Sequence, residues 1–486
     1  MAQMKKRGPM GERGARKPAD ILDRDGEWGS LTSLLQSDRP ELAFVLGRRR
    51  VGKSFLLARF AREAGGVYYQ ATKRTELEQL ANLTRIVGSH YGDVAIERGA
   101  AFPDWEALFG YIAQRSGGDP FLLVLDEFPY LADAAPALPS ILQSLWDHAW
   151  PGTRAKVILS GSHITAMRRL ERADQPLYGR RTGKIEVQPF PYVDAARFFP
   201  GYGAADRLLA YGIFGGLPGH LSLIDPALAV HENVSRQLLD SSGRLVDEAQ
   251  HMLDAFLGEA EVHYSVIEAI ANGERTWGRI SSRVGRAASS LSRPLRWLSD
   301  MRIVTRVVPV TAGRARKSKR AIYRITDPYV AFWHRFVSPL VDSGAVGMVE
   351  PERLWEVRVL PGLDGYMGEV FEAACREFVR RTDRLPFEPI RVGEWWDAAS
   401  RNQVDVVALG PEGEVLVGEC KWGTVDAHDL TRLEARAMSL VKELDAVRHV
   451  HLCLFSGRRP KDPALVARVE RGDVLHFTID DLYDAP

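Results

Sequence analysis

The sequence is poor in the features that mark secreted, membrane and zinc-binding proteins. It has three cysteines in 486 residues, Cys375, Cys420 and Cys453, and none of them forms a CxxC pair. This spacing argues against a disulfide framework and a cysteine zinc site, and it favours a reducing compartment. The twelve histidines form no HExxH motif, and no apolar run approaches the roughly 20 residues of a membrane span. We therefore expect a cytoplasmic protein without a membrane segment.

An overall excess of one charge is also lacking. The 64 lysines and arginines nearly balance the 63 acidic residues, which leaves a formal net charge of +1. The whole-chain composition thus indicates no acidic partner. Residues 1–20 are basic and glycine-rich without the apolar core of a secretory signal, so we expect a disordered tail. A weak nucleic-acid contact is the alternative for this tail.

The sequence that follows the tail alternates short apolar runs with helical stretches. The runs LAFVLG (42–47), FLLVLDEF (121–128), KVILSGS (156–162) and KIEVQPF (184–190) have the composition of buried strands. Helical patterns lie between them. This alternation predicts an α/β domain with a mostly parallel sheet over residues 21–200.

A glycine-rich loop, GRRRVGKS, separates the first of these strands from the helix after it and matches GxxxxGK(S/T) in full. In such a loop, backbone N–H groups surround the β-phosphate, the lysine reaches the β- and γ-phosphates, and the serine binds Mg²⁺. The sequence therefore predicts a P-loop that binds ATP and Mg²⁺, with a basic strand–helix turn as the alternative. The predicted nucleotide-binding residues are Gly47, Arg48, Arg49, Arg50, Val51, Gly52, Lys53, Ser54 and Phe55, of which Ser54 is also a predicted metal ligand.

Two further strand ends carry polar residues. FLLVLDEF ends near Asp126 and Glu127, which after a P-loop is the Walker B arrangement. In that arrangement Asp126 holds Mg²⁺ at the nucleotide, and Glu127 orients and deprotonates the attacking water. The next strand ends with Ser160 and Ser162. We predict that Ser162 senses the γ-phosphate, and a strand-terminal turn without this role is the alternative.

The order of these motifs resembles a known family. LSGSHITAM, PLYGR and GGLP follow the Walker pair, and this order is similar to that of archaeal-type AAA+-like ATPases related to the STAND signalling NTPases, which also occur in bacteria. The resemblance implies that Arg180 reads the γ-phosphate, in cis or from a neighbouring subunit, and that Pro218 shapes a helical lid near the nucleotide. Arg181 is the competing choice, and an arginine paired with an internal carboxylate is the structural alternative. His163 departs from the small residue expected at its position.

The C-terminal sequence resembles the C-terminal module of the same family through VFEAA, QVDVVALG and GECKW. Asp405 stands in one strand of a predicted hairpin, and Glu419 and Lys421 alternate on the other strand, so the three side chains are expected to lie close together. With Glu372 from an upstream helix they match the PD-(D/E)xK nuclease arrangement. In it Asp405 and Glu419 bind Mg²⁺, and Lys421 positions or activates a water.

Two positions leave this interpretation open. Glu369 lies one turn before Glu372 and is the alternative helix acid. Gln403 stands where the family usually has an acid, which keeps an oxygen but removes a charge. An ordinary hairpin with an exposed acid–base pair is the competing explanation, because a fold does not certify an activity.

The charge of residues 262–325 differs from that of the rest, with fourteen lysines and arginines against three acidic residues. Three helical stretches and two strands around a basic loop predict a winged helix, and the charge excess predicts contact with DNA phosphates. A basic module for protein contacts is the alternative. The predicted nucleic-acid residues are Arg286, Arg293 and Arg296 near the recognition helix, and Arg314, Arg316, Lys317, Lys319 and Arg320 in the wing.

Together these patterns predict an α/β P-loop NTPase (AAA+-like) that hydrolyses ATP with Mg²⁺, binds DNA, and carries a restriction-endonuclease-like site for cleaving it under nucleotide control. A homo-oligomer is a further expectation. Two alternatives stay open: a STAND-like signalling switch with an inert nuclease fold, and an assembly module for protein contacts. The predicted domains are a basic tail (1–20), a P-loop ATPase core (21–200), a helical lid (201–260), a winged helix (261–326), an aromatic helix and linker (327–355), and a PD-(D/E)xK nuclease-like domain (356–486).

Overall fold

The chain divides after Pro189 into two units, Met1–Pro189 and Phe190–Pro486. The computed structural model describes residues 15–116, 119–254, 260–312, 318, 320–399, 401–444 and 446–484. Within these residues, no helix is both long and apolar enough to cross a membrane.

The first unit is built on a parallel sheet of five strands. In spatial order the strands run β2-β3-β4-β1-β5, and every neighbouring pair is parallel. The carboxyl ends of β1, β3 and β4 therefore lie side by side at one edge, where ligands bind in open parallel sheets. The strands are β1 (Glu41–Leu46), β2 (Val67–Gln70), β3 (Phe121–Asp126), β4 (Ala155–Gly161) and β5 (Gly183–Glu186).

Four of these strands confirm the apolar runs predicted from sequence. Nearly all residues of β1, β3 and β4 are buried, as expected for central strands covered by helices on both faces. β2 was not predicted, because its four residues, VYYQ, are too few to show a periodic pattern. The helices of this unit are α1 (Asp25–Gln36), α2 (Lys53–Ala64), α3 (Glu76–Tyr91), α4 (Val94–Glu97), α5 (Trp105–Ser116), α6 (Phe128–Ala134), α7 (Leu138–Ser144) and α8 (Ile164–Arg169).

The second unit begins with a series of helices in the region where the sequence predicts a helical lid (201–260), and the assignment of a lid stays a prediction. Pro218 occupies the first turn of α11, where its missing N–H leaves no hydrogen bond unmade. The helices are α9 (Tyr192–Ala195), α10 (Ala204–Phe214), α11 (Pro218–Leu221), α12 (Val230–Val234) and α13 (Glu248–Asp254).

Three helices and a two-stranded antiparallel ribbon follow, in the predicted order. Ile280, Leu295 and Leu298 are buried between the helices, and the Trp277 ring lies 5.7 Å from that of Tyr323 in the ribbon. Assignment of this module as a winged helix stays a prediction. Its elements are α14 (Ala260–Ala271), α15 (Trp277–Val284), α16 (Ser292–Asp300), β6 (Val304–Val307) and β7 (Ile322–Ile325).

The remainder of the second unit packs helices against a mixed sheet in the order β12-β11-β10-β9-β8. The predicted hairpin is present as β9 and β10, which pair antiparallel with Val407 opposite Val417. β11 and β12 continue the sheet in parallel. The elements are α17 (Pro328–Phe332), α18 (Ser338–Asp342), α19 (Pro351–Leu354), α20 (Leu360–Arg381), β8 (Arg391–Trp396), β9 (Gln403–Leu409), β10 (Glu414–Lys421), α21 (Ala427–Val441), β11 (His449–Ser456), α22 (Pro463–Glu470) and β12 (Leu475–Thr478).

Candidate functional site

The glycine-rich loop connects β1 to α2. Its two glycines occupy positions where a larger side chain would clash with the backbone or strain it. A Cβ atom at Gly47 would lie 2.6 Å from the carbonyl oxygen of Val187, so no larger residue fits without moving backbone. Gly52 has φ = 93°, in the region that favours glycine, immediately before α2 begins. The loop therefore turns tightly into a helix N-terminus, the geometry that presents N–H groups to an anion.

Lys53 is a buried cation at the start of this helix, with 4% of its surface exposed. Its Nζ lies 3.4 Å from the carbonyl oxygen of Arg48 in the same loop. Burial lowers the pKa of Lys53, while the charges of Glu127 and Asp126 raise it. Burying a lysine ammonium is costly, and a charge-assisted hydrogen bond to a phosphate would offset that cost. Lys53, which is buried beside two acids at the loop, is therefore suited to bind a phosphate.

The other predicted loop residues divide into buried and exposed ones. Val51 and Arg48 are buried, and Arg49 and Arg50 are exposed. Phe55 is 51% exposed on α2. Sequence analysis missed Arg24, whose Nη2 donates to the carbonyl oxygen of Val51 at 3.1 Å. No pattern in the sequence linked this residue before α1 to the loop.

Asp126 ends β3 and is fully buried. Its Oδ1 accepts the backbone N–H of Glu127 at 3.0 Å, and its Oδ2 accepts the hydroxyl of Tyr68 at 2.8 Å. Ser54, the other predicted Mg²⁺ ligand of this site, lies in the first turn of α2. A hydroxyl and a carboxylate are oxygen ligands that Mg²⁺ accepts, so these residues fit the ion.

Glu127 contacts the predicted sensor directly. Its Oε2 accepts both the backbone N–H of Ser162 at 3.1 Å and the Ser162 hydroxyl at 3.0 Å. The residue has φ = 52°, a left-handed conformation uncommon for a side chain other than glycine. Such strain is often found at functional sites. The structure thus brings together the predicted base, the predicted sensor and the predicted metal ligand at the adjoining ends of β3 and β4.

The neighbours of Ser162 have other surroundings. Ser160 is buried within β4, and its hydroxyl has no hydrogen-bond partner in the described part of the chain. The imidazole of His163 caps α8, because its Nδ1 accepts the backbone N–H of Ala166 at 3.2 Å. Burial lowers the pKa of His163, which favours this neutral, accepting form. The departure at His163 is therefore compatible with a capping role.

Both arginines proposed to read the γ-phosphate are in ion pairs. Arg180 binds Asp147 through two hydrogen bonds, Nε to Oδ1 at 2.9 Å and Nη2 to Oδ2 at 2.7 Å. Arg181 pairs with Glu171. This is the structural alternative given for these residues, an arginine bound to an internal carboxylate. A role for Arg180 at a phosphate stays a prediction that requires Arg180 to leave Asp147.

Comparison with known proteins agrees with the geometry of this site. Residues 21–224 match the family described as an ATPase domain predominantly from Archaea. Residues 333–433 match a second family, described as archaeal and bacterial proteins of unknown function. Residues 21–224 are thus similar to an archaeal-type ATPase domain.

Individual relatives extend the likeness beyond this ATPase domain. An uncharacterized protein of Methanocaldococcus jannaschii is 26% identical over 466 residues, which cover 95% of this chain and 99% of the relative. A Walker-type ATPase of Pyrococcus abyssi is similar in structure with TM-score 0.47 and 22% identity, over 67% of this chain and 99% of that one. The Aeropyrum pernix ORC2 protein gives TM-score 0.41 and 13% identity, over 69% and 98%. Both TM-scores lie below 0.5, so neither likeness bears on function.

Outside the ATPase domain, the structure gathers the acids of the C-terminal module. Asp405 and Glu419 are buried on adjacent strands, and Glu372 reaches them from α20. Burial, together with the charges of Glu372 and Glu419, raises the pKa of Asp405 to about 8. Glu369 points to a different contact, an ion pair with Arg275 at 2.5 Å, which favours Glu372 as the helix acid. We call Glu372, Glu394, Asp405 and Glu419 the acidic cluster.

Arginines neutralise most of the acidic cluster, and sequence analysis missed them. Nη1 of Arg436 lies 2.5 Å from Oε2 of Glu419, and Nη2 of Arg324 lies 2.6 Å from Oε2 of Glu394. Glu394 was itself missed. These residues come from separate elements, α21, β7 and β8, so no local motif could reveal their convergence.

The surroundings of the metal site predicted at Asp405 and Glu419 are less suited to a cation than those of the site predicted at Ser54. Besides Arg436, Lys421 lies 3.5 Å from Glu419, so that carboxylate already has two cationic partners. Gln403, in place of the family's usual acid, is exposed. Among the described residues, no group of three or more histidine, cysteine or acidic side chains could hold a metal ion. The pair therefore does not fit a Mg²⁺ ion in this arrangement.

The predicted nucleic-acid residues fall into three classes. Arg286, Arg293 and Arg296 are exposed, and none of the three makes an ion pair within the described ranges. Arg320 binds both Glu443 oxygens, at 3.0 and 3.1 Å, and the Trp396 carbonyl oxygen at 3.0 Å, so its contact with DNA stays a prediction that requires it to leave Glu443. Its guanidinium is thus occupied by the C-terminal module. The third class, Arg314, Arg316, Lys317 and Lys319, lies outside the described residues.

Proposed function

We propose that this protein binds and hydrolyses ATP with Mg²⁺ in its first unit and binds DNA through α14–α16 and the β6–β7 ribbon, with nucleotide occupancy controlling DNA binding. The observation that carries the proposal is the joint placement of Lys53, Asp126, Glu127 and Ser162 at one edge of the parallel sheet. Charged and polar side chains gathered at the carboxyl end of a parallel sheet are typical of ligand-binding and catalytic sites.

Each residue of this edge has a distinct task in the proposed reaction. The N–H groups of the loop before α2 and the Lys53 ammonium bind the β- and γ-phosphates. Ser54 and Asp126 would hold Mg²⁺, which supplies Lewis-acid stabilisation of the phosphate charge when bound. Glu127 accepts the proton of the water that attacks the γ-phosphorus, and ADP leaves. Ser162 holds the Glu127 carboxylate in position, as its two hydrogen bonds indicate.

The test of nucleotide binding is calorimetric titration of ATP with Mg²⁺ into wild type and Lys53→Ala. Loss of the lysine removes charge-assisted hydrogen bonds to two phosphates, each about 1.5–3 kcal/mol, so affinity should fall on the order of 100-fold. The control is Lys73→Ala, because Lys73 lies on the same unit and its side chain is exposed. Equal affinity in wild type and Lys53→Ala would refute the loop as the phosphate site.

DNA binding is supported by three arginines that have no acidic partner among the residues the structure describes. Arg286, Arg293 and Arg296 stand on or beside α16 with their side chains in solvent, and exposed guanidinium groups bind phosphate oxygens without first breaking an ion pair. Fluorescence anisotropy with duplex DNA at several salt concentrations should give a steep salt dependence. The slope of the logarithm of the binding constant against the logarithm of the salt concentration measures this dependence. Replacing all three arginines by serine should make that slope shallower by about 0.9 for each phosphate that the arginines neutralise.

The matched control for this experiment removes three exposed arginines of the same unit that lie outside the three-helix module. The control residues are Arg244, Arg358 and Arg448. If this control weakens DNA binding as much as the test variant does, binding reflects charge in general and the module is not the interface. Absence of DNA binding by wild type would favour the assembly module for protein contacts.

Metal-dependent DNA cleavage is a second candidate function, favoured by one observation, the gathering of Glu372, Asp405, Glu419 and Lys421. The arginines around these acids oppose it, because a metal ion would have to displace them. Lys421→Ala is the appropriate test, since Lys421 is 37% exposed in its side chain and its loss should leave the core intact. Nicking of plasmid DNA with Mg²⁺ or Mn²⁺ that Lys421→Ala abolishes supports cleavage. Absence of nicking by wild type supports an inert nuclease fold.

A signalling switch is distinguished from these functions by its rate of ATP hydrolysis. A STAND-like switch would bind ATP and turn it over slowly, whereas the proposed enzyme should show steady turnover. Phosphate release under substrate saturation, with and without DNA, separates the two. Stimulation by DNA supports coupling between the two units.

A further inference from the structure

β2 presents two consecutive tyrosines with different partners. Side chains of consecutive strand residues point to opposite faces of a sheet. The Tyr69 hydroxyl accordingly donates to the amide oxygen of Gln79 on α3, within the hydrophobic core beneath that helix. The Tyr68 hydroxyl instead donates to Oδ2 of Asp126 at 2.8 Å. One strand thus supplies a structural tyrosine and a tyrosine at the nucleotide site.

Tyr68 reaches Asp126 because of the order of the sheet. β2 pairs with β3, and Tyr68 lies opposite Val124, two residues before Asp126. From there its hydroxyl contacts the carboxyl end of β3, where the predicted Mg²⁺ ligand Asp126 lies.

The Tyr68 hydroxyl is the donor of this hydrogen bond, because an ionised carboxylate such as that of Asp126 can only accept.

We propose that Tyr68 is a positioning residue for Mg²⁺ in this ATPase site, holding the Asp126 carboxylate where the ion meets it. This inference rests on the proposed function. Asp126 is fully buried, and its other oxygen is fixed by the N–H of Glu127. Tyr68 is therefore the side chain that sets the direction of Oδ2. Loss of such an orienting hydrogen bond typically weakens metal binding about 10- to 100-fold.

The test compares Tyr68→Phe with wild type by the affinity for ATP, measured calorimetrically first with EDTA and then across a Mg²⁺ titration. Phenylalanine removes one oxygen atom and keeps the ring. ATP affinity in EDTA should stay within about twofold of wild type, because the hydrogen-bond partner of Tyr68, Asp126, serves the metal ion in the proposed site. The Mg²⁺ concentration at the midpoint of the affinity gain should rise about 10-fold.

The matched control is Tyr69→Phe, the same change on the next residue of the strand. It removes the bond to Gln79 and should leave the Mg²⁺ midpoint unchanged even if it lowers stability. Electron paramagnetic resonance of free Mn²⁺ gives a second readout that counts only protein folded well enough to bind nucleotide and metal. Tyr68→Phe should bind Mn²⁺ about 10-fold more weakly in the presence of ATP.

Two results overturn the inference. One is an unchanged Mg²⁺ midpoint in Tyr68→Phe, and the other is an equal shift in Tyr69→Phe. Failure of the proposed function has a separate signature, absence of heat when ATP is added to wild type in EDTA or in Mg²⁺, and that result overturns both proposals.

Discussion

The nucleotide site of the first unit and the acidic cluster of the second both bury carboxylates, but they satisfy them with different partners. Asp126 and Glu127 accept hydrogen bonds from neutral groups, the Tyr68 phenol, the Ser162 hydroxyl and backbone N–H groups. Glu419 and Glu394 face guanidinium groups at 2.5 and 2.6 Å. The first set keeps its negative charge available, and the second is neutralised by the protein.

This difference explains why one sequence motif is a better guide to function than the other. A metal ion that binds at Asp126 meets a carboxylate whose hydrogen-bond donors are neutral and stay in place, so no ion pair has to break. A metal ion at Glu419 has to break an ion pair whose carboxylate is already out of water, which is costly. Similar residues therefore have different prospects of binding Mg²⁺, according to what surrounds them.

The largest effect that this comparison predicts is the loss of turnover in Glu127→Gln. The amide keeps the size of the side chain and can still contact Ser162, but it cannot accept a proton. Loss of a general base typically slows a reaction about 10²- to 10⁴-fold, so we expect about 1000-fold slower phosphate release with ATP affinity retained. Quenched-flow or steady-state phosphate assays measure the rate, and calorimetry measures the affinity.

The control for this prediction is Glu63→Gln, an exposed glutamate on α2 in the same unit. It should leave both turnover and affinity unchanged. Turnover in Glu127→Gln within tenfold of wild type would exclude Glu127 as the base, and the left-handed backbone at this residue would then need another explanation.

The second prediction concerns the ion pair of Arg436 with Glu419 and is smaller. Glu419 is 5% exposed in its side chain and Arg436 27%, so Arg436→Met leaves a buried charge without its nearest partner. Removing one member of a fully buried pair costs roughly 3–5 kcal/mol. The partial exposure of Arg436 reduces this, and we expect about 2 kcal/mol lower free energy of unfolding in urea.

Arg432→Met is the matched control, one helical turn away on α21. Arg432 is 41% exposed, lies 3.9 Å from Glu419 and pairs mainly with Asp429, so its loss should cost below about 1 kcal/mol. An equal loss in both variants would contradict the view that Arg436 neutralises Glu419. If Mg²⁺ selectively restores the stability of Arg436→Met, the arginine occupies a place that a cation can take.

The sequence predicts local features of these two sites, but it does not predict contacts that depend on the fold. The loop around Lys53 and the hairpin that carries Asp405 and Glu419 follow from short, local patterns, because a few consecutive residues determine a tight turn or a two-residue alternation. Tyr68 was missed because its contact with Asp126 depends on β2 lying next to β3. The sequence of a strand does not indicate which strands are its neighbours in the sheet. Short segments such as VYYQ also give too little periodicity to be recognised.

The partners of charged residues are the other feature that the sequence leaves undetermined. Arg180 has a fixed geometry that suits phosphate or carboxylate equally, and only the position of Asp147 shows that a carboxylate is bound here. Arg320 was grouped with basic neighbours in sequence, yet Glu443 lies more than a hundred residues further along the chain. Local charge density identifies a basic segment, but the fold decides which of its members face solvent.

The last effect expected, which is the smallest when counted per pH unit, is on the pH dependence of stability, through Asp405. Its pKa is about 8 in the folded protein against an ordinary 3.8, so between these values the folded state holds a proton that the unfolded state has released. Stability from this group therefore decreases as the pH rises from about 4 to about 8, by at most about 1.4 kcal/mol per pH unit. Asp405→Asn mimics the protonated acid and should flatten the slope of unfolding free energy between pH 5 and 8 by about 1 kcal/mol per unit.

Asp397→Asn should leave that slope unchanged, because hydrogen bonds, chiefly from the N–H of Arg401, lower the pKa of Asp397, which is then ionised in both states throughout this range. A wild-type slope that Mg²⁺ abolishes would show that Asp405 takes a metal ion after all, and the acidic cluster would then resemble the nucleotide site more than its arginines suggest.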